Sequence, residues 1–129
     1  MIHLIAAIGK RGQLGLDGKL PWHDPNDLRW FREMTMGQVC VVGHRTAATL
    51  PPLPGRELVV CTGNPLDAVC SIGDRDIWVI GGAKTYALWL PYVGRLHINV
   101  IDYNGPADTW MPALVPGEVA QLVHSAADE

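Results

Sequence analysis

Ile77-Trp78-Val79-Ile80-Gly81-Gly82-Ala83-Lys84-Thr85-Tyr86 reads as a short apolar strand, a tight glycine turn and the opening of a helix. Consecutive apolar residues with no polar alternation suit a strand buried on both faces, as in a parallel sheet. Pro91 closes the helix, which is predicted from about Lys84 to Leu90. The same alternation extends in both directions. Upstream, Ile2 to Ile8, Val39 to Val42 and Leu58 to Thr62 are apolar, strand-like runs. Between them a helix is predicted from Pro25 to about Thr35, with Asp24 as N-cap, and it ends by Gly37. Another runs from Pro65 to about Ile72, with Asn64 as cap. Downstream, Leu96 to Asp102 is a further strand, and Glu118 to His124 another. Strands alternating with helices predict an α/β fold with substantial parallel pairing. Residues 9–23, with Gly9, Gly12, Gly15 and Gly18, are expected to be a long irregular loop.

Composition narrows the function. The 129 residues fit one domain, 1–129, and 48% hydrophobic content is enough for a core. A net charge of −3 argues against nucleic acid as a partner, since phosphate binding leaves a basic footprint. No apolar run is long enough to cross a bilayer, and the first residues read as a strand and not a signal peptide. Cys40, Cys61 and Cys70 are odd in number and lack CxxC spacing, so reduced, buried thiols in a cytoplasmic protein are expected. The histidines at 3, 23, 44, 97 and 124 form no ligand motif, so no metal site is expected.

Asp27 stands out on the predicted helix. With about 100° per residue, Phe31 falls about 40° from it, Met34 about 20° and Trp30 about 60°. Leu28 lies about 100° away, and Arg29, Arg32 and Glu33 occupy the opposite side. The carboxylate therefore sits inside the apolar stripe, where burial without a partner costs several kcal/mol or takes up a proton. Two readings are open. Asp27 accepts backbone N–H bonds in the first helical turn, or it faces a ligand in a pocket lined by Ile5, Leu28 and Phe31.

Two glycine turns point to phosphate. Backbone N–H groups of the Gly81-Gly82 turn can cradle a pyrophosphate. In Val41-Val42-Gly43-His44-Arg45-Thr46, Arg45 and Thr46 can hold a phosphate monoester. Taken alone, the second stretch equally suits a solvated turn. Together they suggest a dinucleotide with an extra phosphate. No GxGxxG fingerprint is present, so a Rossmann domain is not indicated.

Several motifs in order then resemble one family. They are Leu4-Ile5-Ala6-Ala7-Ile8, Gly15-Leu16-Asp17-Gly18-Lys19-Leu20-Pro21-Trp22, Asp27-Leu28-Arg29-Trp30-Phe31 and Thr35-Met36-Gly37. The match continues through Val42-Gly43, Thr46, Leu53-Pro54-Gly55-Arg56, Ile80-Gly81-Gly82 to Tyr86, Ile101-Asp102 and Gly105-Pro106-Ala107-Asp108-Thr109. Over residues 2–112 the chain resembles the dihydrofolate reductases.

The resemblance implies a three-layer α/β/α fold around a mixed, mainly parallel sheet. It also implies NADPH-dependent reduction of 7,8-dihydrofolate to 5,6,7,8-tetrahydrofolate, serving one-carbon metabolism. Asp27 matches the family's pterin-binding acid, and Trp22 the residue that orders water beside it. Whether the proton arrives through Asp27 or through water is open. Ile5 and Ile80 match positions whose carbonyls contact the pterin. Leu28, Phe31 and Leu53 match the apolar walls, and Arg56, assisted by Arg32, the holder of the glutamate-tail carboxylate. Ala7 and the loop Leu14, Gly15, Leu16, Gly18, Lys19 and Leu20 match the segment that covers the nicotinamide. Gly81, Gly82, Ala83, Lys84, Thr85 and Tyr86 match the pyrophosphate turn, with a non-proline cis bond between the glycines; Tyr86 also borders the substrate. Gly43, His44, Arg45 and Thr46, with Cys61, Thr62 and Gly63, match the part that takes the adenosine 2′-phosphate.

The chain departs from the family pattern in three places. His44 stands where an arginine is usual, with Arg45 next to it. Asn99 stands where a threonine usually hydrogen-bonds the acid; an amide can donate the same bond. The chain is also short. Residues 63–76 leave room for a helix but not the family's small extra strand, and residues 113–129 for one strand and not a hairpin. A sheet of about six strands, below the usual eight, is expected on length. A monomer is expected, with an uncovered sheet edge as a route to self-association. Two alternatives stand beside the reductase: an enzyme acting on another pterin-like heterocycle, and a non-catalytic folate-binding relative.

Overall fold

In the computed structural model, residues 1–112 and the backbone of residues 120–125 are described. The strands are β1 (Ile2–Ile8), β2 (Gln13–Gly15), β3 (Val39–Gly43), β4 (Glu57–Cys61), β5 (Ile77–Gly81), β6 (Arg95–Val100), β7 (Thr109–Trp110) and β8 (Ala120–Ser125). The helices are α1 (Pro25–Thr35), α2 (His44–Thr49), α3 (Pro65–Ile72) and α4 (Ala83–Trp89), the last followed by a 3-10 turn over Leu90–Tyr92.

A six-stranded sheet runs in the order β4-β3-β5-β1-β6-β8, with every pairing parallel. The expected strand count and the mainly parallel character are both met. The antiparallel part of the fold is a separate ribbon of β2 and β7. Parallel neighbours need crossovers, and α1 to α4 supply them between β1 and β6.

The two faces of the sheet are packed by different helices. Leu4, Ala6, Val39, Val41, Ile77 and Val79 form one core with Ile72 of α3 and Tyr86 and Trp89 of α4. Ile5, Cys40 and Trp78 face the other way and pack against Trp30, Phe31 and Met34 of α1. The result is three layers. Alternation along β1 and β5 sends neighbouring side chains to opposite faces, so each strand feeds both cores.

Local rules account for α1. The Asp24 carboxylate accepts from the N–H groups of Asn26 (3.0 Å) and Asp27 (3.2 Å), and Pro25 opens the helix. Beyond the last turn Gly37 adopts φ +76°, and its N–H donates to the Gly55 carbonyl at 2.8 Å.

Three expectations need correction. The irregular loop 9–23 contains β2, whose partner β7 lies far along the chain, so no local pattern announces it. The segment after Gly43 is not only a turn but enters α2, too short to show a helical period. Among the thiols, Cys40 is buried but Cys61 is half-buried and Cys70 exposed, because Cys70 lies on the outer side of α3. The last strand begins at Ala120; Glu118 and Val119 of the predicted span lie outside the described residues. Between β4 and β5 the chain forms α3 and no strand, which leaves β4 outermost with Leu58 and Val60 exposed. No helix among the described residues is long and apolar enough to cross a membrane.

Candidate active site

All strands of the main sheet point the same way, so the ends of β1, β3, β4, β5 and β6 share one edge. Ligand sites of open α/β sheets lie outside that edge. Asp27 is delivered there because α1 starts its return crossing from the end of β1 and β2. It is 6% exposed, and the N-capping role falls to Asp24, one turn earlier. Asn99 Nδ2 donates to Asp27 Oδ1 at 2.8 Å, across 72 residues of sequence. Asn99 itself is 1% exposed. Asp27 is thus buried against Asn99, and the side chain that caps the helix is that of Asp24.

Around the pair, other groups converge. Tyr86 Oη donates to the Ile5 carbonyl at 2.8 Å. Burial pushes the Tyr86 hydroxyl well above its ordinary pKa, and the Asp27 charge pushes it further. Phe31 and Ile80 pack on Ile5. Leu28, on the flank of the helical stripe, is 48% exposed, and Leu53 is half-buried. Two polar atoms of sequence-predicted residues are buried with no hydrogen-bond partner among the described residues: Asn99 Oδ1, an acceptor, and Trp22 Nε1, a donor. The Trp22 ring lies 5.5 Å from that of Tyr103, at 53°. Arg56 sits at the far end of α1, its Nη1 3.5 Å from Thr35 Oγ1 and its Nε donating to the Pro54 carbonyl at 3.2 Å. Arg32 is exposed on the outer side of α1.

The two glycine turns are neighbours because β3 pairs with β5. A Cβ on Gly82 would fall 2.8 Å from Thr46 Oγ1, and one on Gly43 would collide with Thr85 Oγ1. Glycine is what lets the turns close on each other. The Gly81–Gly82 bond is cis. His44, Arg45 and Lys84 are exposed beside these turns. Cys61, paired with Gly43, brings Thr62 and Gly63 to the same edge. Half-buried Ala7 pairs with Asn99 at the end of β1. The edge therefore gathers sequence-predicted residues from the loops that follow β1, β3, β4, β5 and β6, whereas Arg56 lies toward the strand beginnings and Arg32 faces outward.

The loop after β2 is fastened by residues that local reading did not single out. Leu16 and Lys19 bond to each other, with Asp17 at φ +52° and Gly18 at φ +77° in the turn. The Asp17 N–H donates to Asp108 Oδ2 at 2.9 Å, and the Asp108 N–H to the Gly15 carbonyl at 2.9 Å. That bond from Asp17, then the Thr109 hydroxyl, holds the Asp108 carboxyl below the usual range. Asp108 falls in the Gly105 to Thr109 motif, which carries the resemblance without assigning the residue a role; the fold brings it to Asp17.

Comparison with known proteins identifies the family. The family model described as dihydrofolate reductase matches residues 1–128. A type 3 dihydrofolate reductase of Salmonella typhimurium is 35% identical over 147 aligned positions, covering all of this chain and 91% of that one. The dihydrofolate reductase of Mycobacterium tuberculosis is 38% identical over 122 positions, covering 84% of this chain and 76% of that one. Among solved structures, the Enterococcus faecalis dihydrofolate reductase complexed with NADP(H) and RAB-propyl superposes with a TM-score of 0.79. It is 28% identical, covering 88% of this chain and 78% of that one. With a family match along nearly its whole length and relatives above 30% identity, this chain belongs to the dihydrofolate reductase family.

Proposed function

We propose that the protein reduces 7,8-dihydrofolate to 5,6,7,8-tetrahydrofolate with NADPH, and that Asp27 holds the pterin. One observation carries the residue assignment: a buried carboxylate that accepts from the buried amide of Asn99 at the strand ends, where the two glycine turns also meet. Buried charges persist where they are paired and hydrogen-bonded, and a polar ligand can complete that pairing.

In this reading Asp27 accepts from the pterin 2-amino group and a ring N–H, a bidentate charge-assisted pairing. Its negative charge favours the protonated heterocycle. Asn99 orients the carboxylate by donating to one oxygen. Trp22 offers its N–H beside the acid. The Ile5 carbonyl, already accepting from Tyr86, has a second lone pair, and Ile80 supplies another carbonyl. Leu28, Phe31 and Leu53 wall the ring, and Arg56, with Arg32, takes the tail carboxylate, where a planar guanidinium suits bidentate binding.

The cofactor fits the donor set at the sheet edge. Backbone groups of Gly81 to Tyr86 would hold the pyrophosphate. Arg45, always charged, would take the 2′-phosphate in company with His44, Thr46 and Cys61 to Gly63. Ala7 and the Leu14 to Leu20 loop would cover the nicotinamide and exclude water. When bound, NADPH supplies the hydride for the reduction. A single-domain monomer acting in the cytoplasm on this small molecule, with no nucleic acid or membrane partner, completes the reading.

The test is direct. The protein is mixed with NADPH and dihydrofolate, and absorbance at the nicotinamide band is followed. Steady loss is expected. A flat trace at high enzyme concentration would favour a non-catalytic relative, and faster turnover of another pterin-like heterocycle would move the substrate assignment.

A further inference from the structure

We propose that Tyr103 is a positioning residue for the reaction: its ring sets the orientation of the Trp22 indole beside Asp27. The inference rests on the assignment of Trp22 to the site. Trp22 lies between β2 and α1, outside any strand or helix. Its N–H is buried, and among the described residues no hydrogen bond holds it. The orientation of the ring therefore depends on packing, and Tyr103 packs against it in the tilted geometry that aromatic pairs favour.

Tyr103 is fixed to the sheet. Its N–H donates to the Ile101 carbonyl at 2.7 Å, and the Ile101 N–H donates to the Ile8 carbonyl at 2.7 Å, at the end of β1. The Tyr103 carbonyl accepts from the Lys10 N–H at 2.8 Å. The hydroxyl donates to the Pro106 carbonyl at 2.5 Å. One face of the ring rests on Gly105, where a Cβ would fall 2.7 Å from the hydroxyl oxygen and 2.8 Å from Cζ. Gly105 is pinned in turn, since its carbonyl accepts from Arg11 Nη2 (3.1 Å) and Gln13 Nε2 (3.1 Å). A side chain on a loop is thus braced by a ring held at several points in the segment that follows β6, itself bonded to the end of β1 through Ile101. Catalytic geometry depends on such bracing, because a misplacement of about 1 Å can cost about a hundredfold in rate.

The experiment measures kcat, KM for dihydrofolate and the pH profile of kcat for Tyr103→Ala, Tyr103→Phe, Trp22→Phe and the Trp22→Phe, Tyr103→Ala double variant. Tyr103→Ala is expected to lower kcat about tenfold at neutral pH, with KM changed far less. The loss should grow as pH rises, where proton delivery limits turnover. Tyr103→Phe keeps the ring and should recover most of the rate. In the Trp22→Phe background, Tyr103→Ala should add little. The proposal is overturned if Tyr103→Ala matches the parent while Trp22→Phe does not. It is also overturned if the Tyr103→Ala loss is undiminished in the double variant. If Trp22→Phe itself turns over normally, the assignment of Trp22 falls, and the proposal with it. Should Tyr103→Ala fail to fold, Gly105→Ala displaces the intact ring from beneath, and the same outcomes are read from it.

Discussion

One face of the sheet carries a buried polar pair at each end, and the two pairs are built from opposite chemistry. His3, Ile5 and Ala7 of β1 share that face with Trp78 and Ile80 of β5 and with His97 and Asn99 of β6. At the ends of the strands, Asn99 donates to the Asp27 carboxylate. At their beginnings, His3 Nδ1 and His97 Nε2 share a hydrogen bond at 3.0 Å. His3 Nε2 lies 3.3 Å from Asp76 Oδ2, and the His3 ring stacks on Trp78 with centroids 4.2 Å apart and planes 6° from parallel. An orphaned atom does not distinguish the ends, since Trp78 Nε1 and Arg95 Nε are also buried without partners. The chemistry of the partners does. An acid faced by an amide donor has lone pairs to offer a cationic ring. Two imidazoles sharing one bond need a bare nitrogen between them. Burial, then the His3 charge and then Arg95 hold the His97 pKa down to about 4.

The comparison is broken most sharply at the acid. Asp27→Asn is expected to keep the fold by circular dichroism and to lower neutral-pH turnover by about 10²–10⁴, the range of a lost acid–base group. Activity should partly return at low pH, where the substrate is already protonated. Unchanged turnover at pH 7 would remove Asp27 from its assigned role. Asn99 comes next. Asn99→Ala should cost about ten- to a hundredfold, since hydrogen bonds to charged groups are worth about 1.5–3 kcal/mol. Asn99→Thr supplies a hydroxyl donor and should restore most of it; equal losses in both variants would deny the hydrogen bond any part.

The histidine end should speak through stability. His97 protonates less readily when folded, so the unfolded chain binds more protons between its ordinary 6.5 and about 4. Stability is therefore full above about pH 6.5, falls as pH drops below it and levels off near pH 4, by roughly 1–3 kcal/mol. Urea melts at pH 7 and pH 5 read this directly, and His97→Phe should flatten the acid limb. A parent whose midpoint does not move would erase the contrast between the ends. The smallest effect belongs to an exposed pair. Lys10 Nζ lies 2.8 Å from Asp102 Oδ1, with the two side chains 56% and 73% exposed. Lys10→Ala should leave the melting midpoint where it is, because solvent screens such pairs.

Several features of the candidate site are legible in local sequence patterns. The wheel placed Asp27 among Trp30, Phe31 and Met34, and the structure buries it on that side. The glycines at 43, 81 and 82 marked the turns that now meet through Thr46 and Thr85. The sequence pairs Arg56 with Arg32, yet only Arg56 is drawn against α1, at Thr35, while Arg32 is exposed. The ribbon of β2 and β7, the Asp17–Asp108 bond and the Tyr103–Trp22 contact left no trace in local patterning.

The division has one physical cause. Caps, helical faces and glycine turns depend on residues within a turn or two of each other, so the sequence alone determined α1, its buried acid and the alternating strands. Which donor meets that acid depends on β6 lying beside β1, and which ring braces Trp22 depends on where β6 ends. Those pairings join residues far apart in the chain. Only the closing of the sheet brought Asn99 to Asp27 and gathered five loops at one edge.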